Sequence, residues 1–253
     1  MTGDGTYSYS YDAEARLVSV VGPNSGAYAY GSSAERLKKT QSGVTTHYVW
    51  EGSQVIAEYN GSSGALISEY IYAGGRMVAR DQGGVLRYFH QDRLSSRLIT
   101  DGSGLVAGAM DHLPFGEDAA TGAGESDKHR FTSYERDSES GTDYAINRQH
   151  QYSLGRFNQP DLLGGAIGNP QSLNRYSYTL NDPVNLVDPL GLDPLVPFQG
   201  HCHPRCLLQG QNLNLRPLGY VVANSVVRSM SEVPTTQKEK GGVGPPRKCL
   251  NLK

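Results

Sequence analysis

The chain has 253 residues, 37% hydrophobic and 19% charged, with a formal net charge of −2; that balance gives no general attraction to nucleic acid or to an anionic membrane. No apolar run approaches the ~18 residues a membrane-spanning helix needs, and Met1 to Tyr7 lack the basic and apolar stretches of a signal peptide. With 31 Gly, 16 Tyr and a single Trp, the chain is turn-dense and draws its apolar area from rings and β-branched stems, which suits half-buried strands.

From the N-terminus a pattern repeats. Tyr9-Ser10-Tyr11-Asp12, followed by Arg16-Leu17, is echoed by Tyr28-Ala29-Tyr30-Gly31 with Arg36-Leu37. Looser copies follow at Tyr48-Val49-Trp50, Tyr70-Ile71-Tyr72 and Leu86-Arg87-Tyr88. A period of about 20 residues fits one β-hairpin per unit. Tyr-x-Tyr spacing puts both rings on one face of a strand. Turn residues separate the units at Gly22 to Gly26, Gly61 to Gly64, Gly74-Gly75, Gly83-Gly84 and Asp101 to Gly104. The reading is all-β, with residues 1–112 as hairpins.

Glu117 to Lys128 are small and polar and read as a surface loop. Compact motifs then follow: Phe131-Thr132 with Glu135 to Asp137, Gly155-Arg156-Phe157, Pro160-Asp161, Asn174-Arg175-Tyr176 and Asp188-Pro189-Leu190-Gly191-Leu192. Residues 113–192 form one compact unit on this reading. The tail, 193–253, is basic, Pro-rich and expected to be disordered. All three cysteines lie in it (Cys202, Cys206, Cys249), so the body relies on no disulfide.

The ordered series of motifs, from Tyr88-Phe89-His90-Gln91-Asp92 through Leu113-Pro114-Phe115-Gly116 to Asp188-Pro189-Leu190-Gly191-Leu192, resembles the Rhs-repeat-associated core of the Rhs/YD-repeat family. The likeness covers nearly everything before residue 193. It implies a hollow shell made from a spiralling β-ribbon, closed by a core plug and enclosing a C-terminal cargo, often a toxin. It also implies self-cleavage after the Asp-Pro-x-Gly-Leu motif by an aspartyl-type site. Carried onto this chain, the machinery is Arg156, Asp161 and Asp188, with cleavage after Leu192. Two carboxyls sharing a proton and a guanidinium steadying an oxyanion would suit that chemistry. No cofactor or metal is called for. The expected partners are the remaining shell repeats and the chain's own tail, in a larger bacterial protein that is secreted or held at the cell surface.

Departures from the family pattern fall at turns. Ala15, Ala34, Ser95 and Ser133 stand where glycine is usual, Gly31 replaces an Asp, and Asn147-Arg148-Gln149-His150 blurs an Ala-Arg-Tyr-Tyr stretch. Altered turns are therefore expected. The tyrosine stripes read either as cross-strand stacks or as a sugar-binding platform. His90 with Asp92 reads as structural, and Asp182 as a turn residue. In the tail, His201, Cys202, His203, Cys206 and Cys249 match no closed zinc template. Two other functions stay open: a non-catalytic structural or surface-interaction remnant, and a tail acting as toxin effector.

Overall fold

The computed structural model describes residues 2–192; the tail and its candidate zinc ligands lie outside the described residues. Twelve antiparallel strands form a meander in strict chain order. They are β1 Ser8–Tyr11, β2 Leu17–Val21, β3 Gly26–Tyr30, β4 Arg36–Gln41, β5 Val44–Glu51, β6 Gln54–Asn60, β7 Leu66–Ala73, β8 Arg76–Gln82, β9 Val85–Gln91, β10 Arg97–Thr100, β11 Val106–Met110 and β12 Ala123–Gly124. A second antiparallel sheet holds β13 Glu135–Asp137, β14 Thr142–Ala145, β15 Arg148–Gln151 and β16 Arg156–Phe157. Helical structure among the described residues is limited to short 3-10 turns. The all-β reading holds.

The repeated aromatics have two distinct jobs. The first ring of each pair, at Tyr9, Tyr28, Tyr48 and Tyr70, is buried. A register shift precedes the second, at Tyr11, Tyr30, Trp50 and Tyr72, and such bulges bend a strand and raise its twist. The second aromatic then reaches back to the preceding hairpin. Tyr30 Oη donates to Leu17 O (2.6 Å), Trp50 Nε1 to Arg36 O (2.9 Å) and Tyr72 Oη to Val55 O (3.0 Å). The units of Tyr30, Trp50 and Tyr72 thus each add a bulge and one rung.

The turns after the aromatics close on carboxylates. Asp12 Oδ1 accepts from the Glu14 and Arg16 amides, Asp92 Oδ1 from Leu94 and Ser96, and Asp101 Oδ1 from Ser103 and Leu105. Where Gly31 replaces the Asp, Glu35 Oε2 accepts from the Ser33 amide. The expectation of altered turns is corrected here: Ala15, Ala34, Ser95 and Ser133 all keep positive φ, at 61°, 68°, 66° and 67°. At Ala15, Ala34 and Ser95 the left-handed backbone persists without glycine inside turns closed by these hydrogen bonds.

The stretch expected as a surface loop is only partly one. Asp127 is buried and Lys128 Nζ sits between Glu58 and Glu135. It belongs to a polar seam between the two sheets. Arg36, fully buried, pairs with Asp137 (2.6 Å) and Glu135 (2.9 Å) and lies among the rings of Tyr28, Tyr48 and Tyr144. Lys39 Nζ meets Asp137 (2.7 Å) and Glu139 (3.0 Å). Tyr28 Oη donates to Glu139, Tyr48 Oη to Glu135 and Tyr70 Oη to Glu58. Burial opposes ionisation of Glu135, yet Arg36, Lys128 and Lys39 outweigh it and hold its carboxyl well below the usual range.

Two outcomes follow from this architecture. Ala15→Gly and Ala34→Gly should each raise stability by about 0.5–1 kcal/mol, since glycine enters the left-handed region without a Cβ penalty; urea midpoints check this, and unchanged midpoints would mean the turns carry no strain. Arg36→Met should lower stability by about 3–5 kcal/mol, because it strands Glu135 and Asp137 in the interior. Thermal denaturation followed by circular dichroism measures that loss.

Candidate self-cleavage site in the core plug

The compact unit is organised around an aromatic cluster of Phe131, Tyr134, Ala145, Phe157 and Tyr178. His150 is inserted among these rings, 4.8 Å from Tyr178 and 5.7 Å from Phe131. It is fully buried and neither ring nitrogen has a hydrogen-bond partner. Burial, with Arg136 and Arg148 nearby, pushes its pKa down to about 3.

The Asp188-Pro189-Leu190-Gly191-Leu192 turn packs against the hairpin joining β14 and β15. That hairpin turns through Ile146 at φ 58°, an outlier for a β-branched residue. Asn147 N and Nδ2 both donate to Leu190 O, at 3.2 and 2.9 Å. Gly191 has φ 66°, and a Cβ there would stand 2.5 Å from Ala145 O. Glycine is required twice over, by torsion and by space.

Asp161 and Asp188 are brought together by a guanidinium. Arg148 Nη2 lies 2.8 Å from Asp161 Oδ2 and 3.1 Å from Asp188 Oδ2. The same side chain donates to the carbonyls of Gly191 and Leu192, the latter at 3.2 Å. Asp188 Oδ1 accepts from the Leu192 amide at 2.9 Å. Burial pushes the Asp188 carboxyl up to about 6; the Leu192 N–H and Arg148 pull the other way, while Asp161 adds to the rise. Beside the pair is a cavity of about 60 Å3, lined by Asp161, Asp188, Arg148, Asn174, Ser177 and Leu192 among others. Liquid water takes about 30 Å3 per molecule, so one or two waters fit.

Arg156 has its described contacts elsewhere. Its guanidinium lies 5.0 Å from the Tyr176 ring, and its backbone bridges Ser177. Sequence reasoning passed over Arg148. A usable signal was present: Arg148 and His150 share one face of β15, two residues apart, next to the motif's hairpin.

The remaining candidates take structural places. Asp182 caps Asn185. His90 meets Thr100 Oγ1 at 3.0 Å, and Asp92 closes its turn. The buried Tyr9, Tyr28, Tyr48 and Tyr70 spend their hydroxyls inside the protein, on Asp4 and Ser140 O, Glu139, Glu135 and Glu58, which supports the structural reading over a sugar platform. Glu58, His129 and Glu135 bring ligand atoms within 4.8 Å of one another, but Lys128 already bridges the two carboxylates. Among the described residues no helix is long and apolar enough to cross a membrane.

Together these features make up a bulged antiparallel hairpin ribbon ionically bound to a compact plug. The same fold occurs in solved Tc toxin assemblies. The chain aligns with the TcdB2–TccC3–TEV structure at TM-score 0.59 and 21% identity, covering 75% of this chain and 10% of that one. It aligns with the Photorhabdus luminescens Tc holotoxin pore at 0.59 and 20%, covering 79% and 11%. Among curated proteins it is 26% identical over 200 residues to the tRNA3(Ser)-specific nuclease WapA of Bacillus spizizenii, covering 75% of this chain and 9% of that protein. It is 27% identical over 228 residues to the double-stranded DNA deaminase toxin A of Burkholderia cenocepacia, covering 74% and 15%. The chain therefore spans under a sixth of these relatives. No family model matches it.

The buried imidazole gives a pH test. Between pH 6.5 and about 3 the unfolded chain binds a proton at His150 that the folded chain does not, so this residue's share of stability falls as pH falls. His150→Phe should gain on the parent by up to about 1.4 kcal/mol per pH unit below 6.5. Parallel urea titrations at pH 7, 6 and 5 check it; a constant difference would mean His150 is protonated inside the plug.

Proposed function

We propose that this chain is the closing end of an Rhs-type toxin shell, and that its plug cuts the chain once, after Leu192, to free the segment that follows. The observation that carries the reading is Arg148, which holds Asp161, Asp188 and the Leu192 carbonyl oxygen at the same time.

In this reading Asp161 takes a proton from a water in the adjoining cavity, and the resulting hydroxide adds to the Leu192 carbonyl carbon. Arg148 meets the negative charge developing on the carbonyl oxygen. Asp188, with its carboxyl pushed up to about 6, is protonated in about half of the molecules at pH 6 and about a tenth at pH 7, and passes its proton to the departing amide nitrogen. A tethered bond at high effective concentration needs only modest help, and one turnover suffices. Arg156 supports the site from behind through its backbone bridge to Ser177, two residues from Arg175, whose guanidinium donates to the Asp161 carbonyl. The rest of the shell and the segment from residue 193 onward are the proposed partners, within a secreted or surface-held bacterial protein that serves in competition between cells.

Intact-mass measurement tests this. The expressed chain should yield a product ending at Leu192 and a tail beginning at Asp193 without added protease. Asp161→Asn or Asp188→Asn should stop the cut, and Arg148→Ala should slow it at least a hundredfold, whereas Arg156→Ala should act weakly. A single full-length species at pH 5 and pH 7 would leave the non-catalytic shell reading in its place.

A further inference from the structure

The motif turn holds a second activated carbonyl, that of Asp188 itself. Tyr134, buried in the aromatic cluster, donates its hydroxyl to Asp188 O. The Gly191 amide donates to the same oxygen at 3.4 Å. Two donors on one carbonyl oxygen form the kind of arrangement that stabilises a tetrahedral oxyanion. This carbonyl belongs to the Asp188–Pro189 bond, whose nitrogen bears no hydrogen and leaves as a secondary amine. The Asp188 side chain reaches its own carbonyl carbon by closing a five-membered ring.

We propose that Asp188–Pro189 is a second, intramolecular scission site in this plug. An Asp188 carboxylate oxygen bonds to the Asp188 carbonyl carbon, and negative charge moves onto the carbonyl oxygen held by Tyr134 and Gly191. As that intermediate collapses, the C–N bond breaks and its electron pair leaves with Pro189 N. Pro189 is exposed, so the nitrogen takes its proton from solvent water. The remaining cyclic anhydride is opened by a second water, which restores both carboxyls of a C-terminal Asp188. One water is consumed overall and nothing is oxidised or reduced.

The groups around the nucleophile set its pace. Asp188 Oδ1 is held by the Leu192 N–H and Oδ2 by Arg148, with Asp161 on the far side of that guanidinium. One of these bonds must open before attack, which makes the reaction slow and sensitive to motion of the turn. The carboxyl is nonetheless partly ionised between pH 5 and 7, so its nucleophilic form is present there. The inference shares Asp188 with the Leu192 reading but does not depend on it.

The sequence contains its own controls, Asp182–Pro183 and Asp193–Pro194. The Asp182 carbonyl also accepts from two donors, the Asn185 and Leu186 amides, but Pro183 is buried, so its nitrogen lacks the solvent proton open to Pro189, and the Asp182 side chain is held on Asn185. The full chain, with and without Asp161→Asn, is held at pH 5–6 for several days and followed by intact mass. Expected is a product ending at Asp188 and a partner beginning at Pro189, forming at least tenfold faster than scission at Asp182–Pro183. It should persist in Asp161→Asn, in which the cut after Leu192 is lost. Tyr134→Phe should slow it roughly a hundredfold, in line with loss of one oxyanion donor, while circular dichroism verifies folding. In urea the preference for Asp188–Pro189 should vanish, which separates the effect of the fold from intrinsic Asp–Pro lability. Equal rates at the Asp–Pro bonds of the folded chain, or a folded Tyr134→Phe protein cutting as fast as the parent, would overturn the proposal.

Discussion

Carboxylates buried between two sheets must be met by cations and hydroxyls, and that requirement organises this molecule. Glu135, Asp137 and Glu139 project from the plug into a region with almost no solvent. Arg36, Lys39 and Lys128 answer their charge, and Tyr28 and Tyr48 donate to them. Replacing both sides of such a network with apolar groups is often neutral or favourable, while removing one side is costly. Its value is therefore specificity of register more than net stability. A plug that slid by one residue along the ribbon would lose every partner at once.

The same requirement explains the tyrosine repeat. A phenylalanine would bury equal area but would bring no hydroxyl donor to the buried acceptors between the sheets. A shorter donor such as serine would not reach. Tyr9, Tyr28, Tyr48 and Tyr70 supply a ring for packing and a hydroxyl at its far end. The bulge placed just after each of these rings bends the ribbon around the plug.

Hairpins, turns and the closing motif were legible in the sequence because their signals are local: alternating aromatics, Gly pairs and Asp before a turn. What joins distant segments was not. Arg36 and Asp137 are 101 positions apart, and nothing in either stretch names the other. Asp161 and Asp188 were recognisable from their motifs, whereas Arg148 sits in a stretch that departs from the family pattern. Its contact with both carboxylates depends on the β14–β15 hairpin lying against the Leu190–Leu192 carbonyls, a tertiary fact. The turns at Ala15 and Ala34 read as altered because propensity disfavours them; hydrogen bonding within each turn overrides that preference.

The rungs from Tyr30, Trp50 and Tyr72 all run the same way, from a hairpin to the one made before it. Synthesis proceeds in that direction too. A new hairpin leaving the ribosome meets an acceptor carbonyl that is already fixed, and it needs nothing not yet made in order to dock. Contacts of this nearest-neighbour kind let a ribbon extend one unit at a time. Ribbon length can then vary by whole hairpins, while the plug, emerging afterwards, finds its anchoring arginine and tyrosines already in position.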